Sequence, residues 1–371
     1  LVPGFFGFTS IGDLNYFYRV GDLLAERLEA LGNRNIKIIQ CRTKPTASIQ
    51  RRAQALLDEV IASGGLQAKT IHFVGHSTGG LDVRLLVSPD IHLKEEQPEQ
   101  IIGKKTKSVI TLATPHHGTP LANFFTTLQG RRFLQLLAAL AGNQPGRQAI
   151  FLGSRILSAV AKVDDLIGRQ DTFLDHLAER FLRKMTLDPD DPVWQLLEDI
   201  GRDQGAIIQL TPEGMHLFNA AVRDRPGVAY SCVVTAVKSL PSIRILRQLV
   251  SPREAASGAL FKLMNVITGQ EHQHYPYPDI REDLYEHLKR SYRFSPDRRT
   301  NDGVSPTLSQ LHGRLLHAVR SDHLDVVGQF ADAGNAPFTD WMTSESGFNE
   351  TRFRATWDAI AQQIQSILNS Q

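Results

Sequence analysis

A chain of 371 residues with 42% apolar side chains can bury a sizeable core and is not a disordered polymer. Its 41 Lys and Arg stand against 39 Asp and Glu, and the short arginine runs "GRRF" and "SPDRRT" read as solvated surface. That balance excludes a nucleic-acid footprint, and no apolar run reaches the roughly 18–20 residues that span a bilayer.

The chain opens on "LVPGFFGF", two residues of a strand and then a glycine-rich turn. A buried strand runs to about 5–6 residues, so the natural chain is expected to extend upstream, with any export signal outside this sequence. "DLNYFYRVGDLLAERLEALG" has amphipathic helical spacing and stops at Gly32, a C-cap position. "NIKIIQC" reads as a strand. "SIQRRAQALLDEVIASGG" reads as a helix with Ala53, Leu56, Leu57, Val60 and Ile61 on its apolar face and Gly64-Gly65 as its stop. Then come a strand "TIHFVG", a helix "GGLDVRLLVS" and a strand "KSVITLATP". This alternation predicts an α/β fold with a mostly parallel sheet and helices on both faces.

The rhythm breaks after Pro120. Residues 121–225 are helical in pattern, as in "LANFFTTLQGRRFLQLLAALAG", "DTFLDHLAERFLRKM", "VWQLLEDIG" and "LTPEGMHLFNAAV". "GVAYSCVVTAV" returns as a strand. A second excursion over 238–298 holds the helical "SGALFKLMNVITG" and the loop "HQHYPYPDI", and "NETRFRATWDAIAQQIQSILNSQ" closes the chain as a helix. The expected division is a sheet core over 1–120, a helical lid insertion over 121–225, a core strand over 226–237, a second insertion over 238–298 and the rest of the core over 299–371. Cys41 and Cys232 fall in the apolar, strand-like runs, where a thiol packs as a small hydrophobe. A bond between them would require two strands to meet in disulfide geometry.

The chemistry starts at Ser77. Gly75-His76-Ser77-Thr78-Gly79 reads as G-x-S-x-G between a β-rich run and a helix, the setting in which a strained turn lifts a serine hydroxyl clear of the sheet. A hydroxyl needs an adjacent base, and acyl transfer needs N–H donors for the oxyanion. Those donors are expected from Phe5 in the first glycine turn and from Thr78, just after the nucleophile. Among 13 histidines, His323 in "SDHLDVVG" lies late in the chain, before the terminal helix. Asp302 in "TNDGVSP" precedes it in the order Ser, Asp, His, with Asp297, Asp322 and Asp325 as competing acids. Asp322 and Asp325 sit too close to His323 along the chain to reach its ring easily from behind.

"VPGFFG", "VGHSTGGLDVR", "TLATPHHGTPLA", "QLTPEGMHLFN", "TNDGVSP" and "DHLDVVG" together resemble the bacterial triacylglycerol lipases and related esterases of the α/β-hydrolase fold. The resemblance covers the sheet core and is weak over 121–205 and 238–298. It implies a triad of Ser77, Asp302 and His323, hydrolysis of glycerides and, in some relatives, of aliphatic polyesters, and secretion. It also implies a structural calcium at the acidic residue two after the histidine, here Asp325; no cofactor is required for the chemistry. The zinc some relatives hold has no matching His/Asp set here. Where the family has His-Gly in its oxyanion loop, this chain has Pro3-Gly4. His116-His117 are expected to brace a loop, and His272 and His274 to line an exposed or lid surface.

Phe124, Phe125, Leu128, Phe133, Leu134, Leu136, Leu137 and Leu140 form an apolar stripe in the insertion, part of it the insertion's own core. As a cover over the strand carboxyl ends, it favours lipid-like or polymeric esters and contact with their surfaces. The expected function is a serine carboxylester hydrolase. A non-catalytic binding protein on the same fold, or a thioesterase or amidase using the same residues, are the alternatives.

Overall fold

The computed structural model describes residues 1–5, 10–11, 14–33, 35–127, 130, 198, 202–238, 252–271, 277–331, 340 and 342–370. Two short strands, β1 (Ser10–Ile11) and β2 (Leu14–Asn15), form an antiparallel pair and lead into helix α1 (Val20–Ala30). Helix α2 (Ile49–Ala62), strand β3 (Ile71–His76), helices α3 (Thr78–Val87) and α4 (Pro98–Lys105) and strand β4 (Thr106–Leu112) follow. Next come helices α5 (Pro120–Thr126), α6 (Gly205–Gln209) and α7 (Pro212–Ala221), then strand β5 (Ala229–Ala236). Helices α8 (Pro252–Thr268) and α9 (Glu282–Tyr292), strand β6 (Arg314–Arg320) and helix α10 (Glu350–Asn369) complete the order.

Strands β3, β4, β5 and β6 lie side by side, all parallel, in that order. Alternation along them sends side chains to opposite faces. Phe73 and Val109 pack with Ala53, Leu56 and Leu57 of α2 and Leu81 of α3. Their neighbours Val74 and Ile110 pack with Leu24 and Leu28 of α1 and Trp357 and Ile360 of α10. At the β6 side, Cys232, Val234 and Ala318 meet Leu288 and Tyr292 of α9. Each large apolar side chain so buried contributes about 1.5–3 kcal/mol.

Local signals set the helix ends. The Ser48 hydroxyl caps α2 by accepting from Arg51 N–H, and the Asn349 side chain caps α10 through Arg352 N–H. Gly32, at φ 94°, closes α1 with the Asn33 N–H on Leu28 C=O.

Two expectations are corrected. The first helix begins at Val20, not at the start of "DLNYFY", because Leu14–Asn15 pairs with Ser10–Ile11 instead. "NIKIIQC" is not one of the ladder strands among the described residues; Ile39 C=O accepts from the Leu1 amino group at 2.7 Å and Cys41 N–H donates to Leu1 C=O at 2.9 Å. Helices α4 and α9 and strand β6 were not anticipated. The strand's "RLLHAVR" lacks strict alternation and runs from exposed to buried. Cys41 and Cys232 are both buried and free. No helix among the described residues is long and apolar enough to cross a membrane. Of the proposed lid stripe, Leu128, Phe133, Leu134, Leu136, Leu137 and Leu140 lie outside the described residues, as do His272 and His274.

Candidate active site

Ser77 occupies the turn between β3 and α3 with φ 55° and ψ −132°, a region costly for any residue with a Cβ, on the order of 1–3 kcal/mol. Its N–H donates to Leu112 C=O at 2.8 Å and its carbonyl accepts from Gly80 N–H at 3.1 Å, so β4 and the first turn of α3 hold the strain. The flanking glycines are steric requirements. A Cβ on Gly75 would lie 2.6 Å from Gly80 N, and one on Gly79 would lie 2.6 Å from Pro3 O. Ser77 is 3% exposed. Thr78 begins α3, and its buried hydroxyl has no partner among the described residues.

Because the sheet is parallel, the turns after β3, β5 and β6 emerge at one edge. Ser77 follows β3, the Asp302 loop follows β5, and His323 follows β6. The acid loop closes on itself through Asn301, bridged to both Val237 and Pro306. Asp302 is fully buried and accepts five hydrogen bonds. Oδ1 takes the N–H groups of Val304 (2.9 Å) and Ser305 (2.7 Å). Oδ2 takes the Thr235 hydroxyl (2.7 Å), Gln310 Nε2 (3.3 Å) and His323 Nδ1 (2.8 Å). His323 N–H also donates to Asp302 C=O at 3.0 Å, so ring and main chain are both registered to the acid loop. With Nδ1–H on the carboxylate, the imidazole keeps Nε2 available as an acceptor.

His323 reaches the Ser77 turn through His76. The His76 ring sits 4.7 Å from the His323 ring, centroid to centroid, and its Nε2 is 2.8 Å from His323 O. Burial, with the neighbouring His323 adding to it, pushes His76 well below the ordinary imidazole range, so it is neutral.

The turn that contains Phe5 lies directly against Ser77: a Cβ on Gly4 would meet Ser77 Cβ at 2.5 Å. Pro3-Gly4 is anchored from two sides. Arg52 Nη2 donates to Pro3 O and Gly4 O, each at 3.0 Å, and Gly4 N–H donates to the Tyr16 hydroxyl at 2.8 Å. Arg52 is itself gripped by Asp82, with Nε at 3.1 and 3.0 Å from the two carboxylate oxygens and Nη2 at 2.8 Å from Oδ2. Both residues are fully buried, and burial raises the Asp82 carboxyl to about 6 even though Arg52 pulls it down. Desolvation thus offsets the attraction, and what the pair supplies is a fixed guanidinium beneath the loop carbonyls rather than net stability.

Of the four carboxylates considered for the acid, only Asp302 bonds the His323 ring among the described contacts. Asp297 caps an exposed turn at Arg299 and Thr300. Asp322 accepts Leu324 N–H, Asp325 N–H and the Ser344 hydroxyl, and Asp325 accepts Asp322 N–H and the Ser346 hydroxyl. Burial, and then the proximity of further carboxylates including Asp340, raises both well above the usual range. A calcium at Asp325 would need about six to eight oxygen ligands. Among the described residues no group of three or more His, Cys, Asp or Glu is placed to hold a metal ion.

His116 braces a loop, as expected. Its Nδ1 accepts from Arg84 (3.2 Å) and its Nε2 meets the Thr111 hydroxyl (3.0 Å). Burial lowers His117 to about 4.

Tyr16, Arg52, His76, Asp82, Thr235 and Gln310 were not singled out beforehand. One signal was available: Arg52 interrupts the apolar stripe Ile49, Ala53, Leu56, Leu57 and Val60, and a charge on a buried face needs a buried partner.

Residues 25–157, which include Ser77, match a family model described as "Putative serine esterase (DUF676)". No curated protein matches the sequence. The chain is similar in structure to the lipase of Staphylococcus hyicus, at 17% identity and a TM-score of 0.52, covering 100% of this chain and 95% of that one. It is also similar to lipase 1 from Pelosinus fermentans, at 18% identity and a TM-score of 0.50, covering 98% and 97%. The fold is that of the α/β-hydrolases.

Proposed function

We propose that this chain is a serine carboxylester hydrolase that cleaves hydrophobic acyl esters through an acyl-enzyme. The observation that carries the reading is the Asp302–His323 contact at 2.8 Å, with the His323 ring 4.7 Å from that of His76, the residue before a serine held at φ 55° on a strand-to-helix turn. In this reading His323 Nε2 takes the proton of the Ser77 hydroxyl as its oxygen attacks the ester carbonyl, and Asp302 keeps the other nitrogen protonated. The N–H groups of Phe5 and Thr78 receive the oxyanion, the second also lying at the positive end of α3. His323 then gives its proton to the leaving alcohol, and water resolves the acyl-enzyme by the same steps reversed. No cofactor is needed for these steps.

The preference for apolar acyl groups, including aliphatic polyesters, and the role of residues 121–225 as a cap are part of the proposal. They are supported by the position of helix α5, where Phe125 is buried and which packs against α8. Helix α8 in turn holds the acid loop: Asn265 Nδ2 donates to Asn301 Oδ1 at 2.8 Å and Thr268 to Gly303 O at 3.0 Å. Helix α5 thus packs on the helix that holds the Asp302 loop.

The test is turnover of p-nitrophenyl esters of graded chain length, triolein emulsion and a polyester film, with Ser77→Ala as control and fluorophosphonate labelling as a count of competent serines. Wild-type turnover and labelling that both vanish in Ser77→Ala are expected. A wild type that does neither is a binding protein, not an esterase.

A further inference from the structure

Four buried groups form a continuous chain of hydrogen bonds: Gly4 N to Tyr16 Oη (2.8 Å), Tyr16 Oη to His76 Nδ1 (2.7 Å), and His76 Nε2 to His323 O (2.8 Å). Its two ends fix every proton. A peptide N–H only donates, so Tyr16 Oη accepts from Gly4. A peptide carbonyl only accepts, so His76 carries its proton on Nε2 and leaves Nδ1 as an acceptor for the Tyr16 hydroxyl. The environment agrees with this assignment. Burial keeps His76 neutral and raises the Tyr16 phenol above its ordinary value, so neither group gives up the form the chain requires.

This chain joins parts of the site that come from separate segments. Gly4 belongs to the loop that presents Phe5, and it lies against Ser77. His76 immediately precedes Ser77. His323 is the proposed base. We propose that Tyr16 and His76 are positioning residues whose hydrogen-bonded relay holds the oxyanion loop and the main chain of His323 in one register across the Ser77 turn. The proposal rests on the ester-hydrolase reading. It also accounts for a loop that lacks the family's histidine: Tyr16 supplies from across the turn an anchor that the Pro3-Gly4 sequence cannot.

Tyr16→Phe removes one oxygen, leaving Gly4 N–H without its acceptor and His76 Nδ1 without its donor while the ring stays in the core. A displaced oxyanion donor acts on the transition state, so kcat is expected to fall by up to about 100-fold with KM nearly unchanged. A second readout does not depend on turnover: the proton NMR signal of His323 Nδ1–H, shared with Asp302, should shift in Tyr16→Phe, because the relay ends on the His323 main chain. Circular dichroism and the melting temperature establish that the variant is folded. His76→Gln keeps a donor toward His323 O but places no acceptor at the Nδ1 position, so it should leave the His323 signal near that of the wild type while kcat is low. Tyr16→Phe with kcat within twofold of wild type, or with an unmoved His323 signal, overturns the relay. If the wild type turns over no ester, the proposed function falls, and the His323 signal alone decides whether the relay stands.

Discussion

Asp302→Asn tests the site at its centre, and the surrounding bonds set the size of the effect. Asparagine keeps one oxygen, which stays on the N–H groups of Val304 and Ser305, the two main-chain donors that cannot turn away. The amide NH2 then replaces Oδ2 and faces Thr235, Gln310 and His323. Thr235 can turn its hydroxyl onto Gln310 Oε1, 3.0 Å away, and Gln310 Nε2 still has Ser305 O and Thr235 O. Only His323 is left without an accommodation, because its Nδ1–H would point at another donor. It must move that proton to Nε2, where it blocks acceptance of the Ser77 proton. The fold loses charge-assisted bonds worth up to about 3 kcal/mol, while kcat falls by about 10⁴-fold, roughly 5.4 kcal/mol of barrier. Steady-state hydrolysis of p-nitrophenyl butyrate measures the loss, with Asp322→Asn and Asp325→Asn as controls expected to stay within about tenfold of wild type. If Asp302→Asn keeps a tenth or more of wild-type kcat, or Asp325→Asn matches its loss, the carboxylate has been assigned to the wrong residue.

Arg52→Met leaves Asp82 buried without a partner and should cost about 3–5 kcal/mol in urea unfolding. Arg52→Met combined with Asp82→Leu should recover most of the stability but not the kcat, because Pro3 and Gly4 carbonyls lose their anchor; full recovery of both would remove the loop-holding role. Gly4→Ala drives a Cβ to within 2.5 Å of Ser77 Cβ and 2.8 Å of the Tyr16 hydroxyl, so kcat should drop by about 100-fold, and unchanged kinetics would show that the loop lies elsewhere. Stability should fall as pH drops from about 6.5 toward 4. His72 and His117, lowered to about 4 mainly by burial, together with His76, His116, His312 and His317, recover ordinary values on unfolding, so the unfolded chain binds the extra protons. Asp82, Asp322 and Asp325 act with opposite sign, since the folded state holds their protons. Six groups against three leave the histidines ahead, each uncompensated proton worth up to about 1.4 kcal/mol per pH unit. A urea midpoint that is flat or rises between pH 6.5 and 4.5 contradicts this balance.

What could be read in advance follows the range over which each signal acts. The strand, turn and helix around Ser77 are local: β-branched alternation, two glycines and an apolar helix sit within one short stretch, and a parallel sheet then dictates which edge the serine faces. Asp302 was legible as an Asn-Asp-Gly turn and His323 from its place after that turn and before the terminal helix, while the strand "RLLHAVR" that leads to His323 was not. The supports were hidden because nothing local marks them. Tyr16 lies in a run whose helical spacing pointed to a longer helix. Thr235 sits near the end of β5 among core residues, and Gln310 in a short 3₁₀ turn carries no motif.

The supports concentrate on what the proposed chemistry moves least. Asp302 receives five donors and the Pro3-Gly4 loop receives contacts from Arg52 and Tyr16, whereas Ser77 is held by its main chain alone among the described bonds. That distribution fits a nucleophile whose hydroxyl must rotate and give up a proton, set between an acid and an oxyanion loop that gain nothing by moving. Fixed dipoles lower a barrier because they need not reorganise as charge develops. The buried Arg52–Asp82 pair makes the same point from the energetic side. Asp82 is raised to about 6 despite its bidentate partner, so the pair is a poor contributor to stability, and its use here is to hold two loop carbonyls in place.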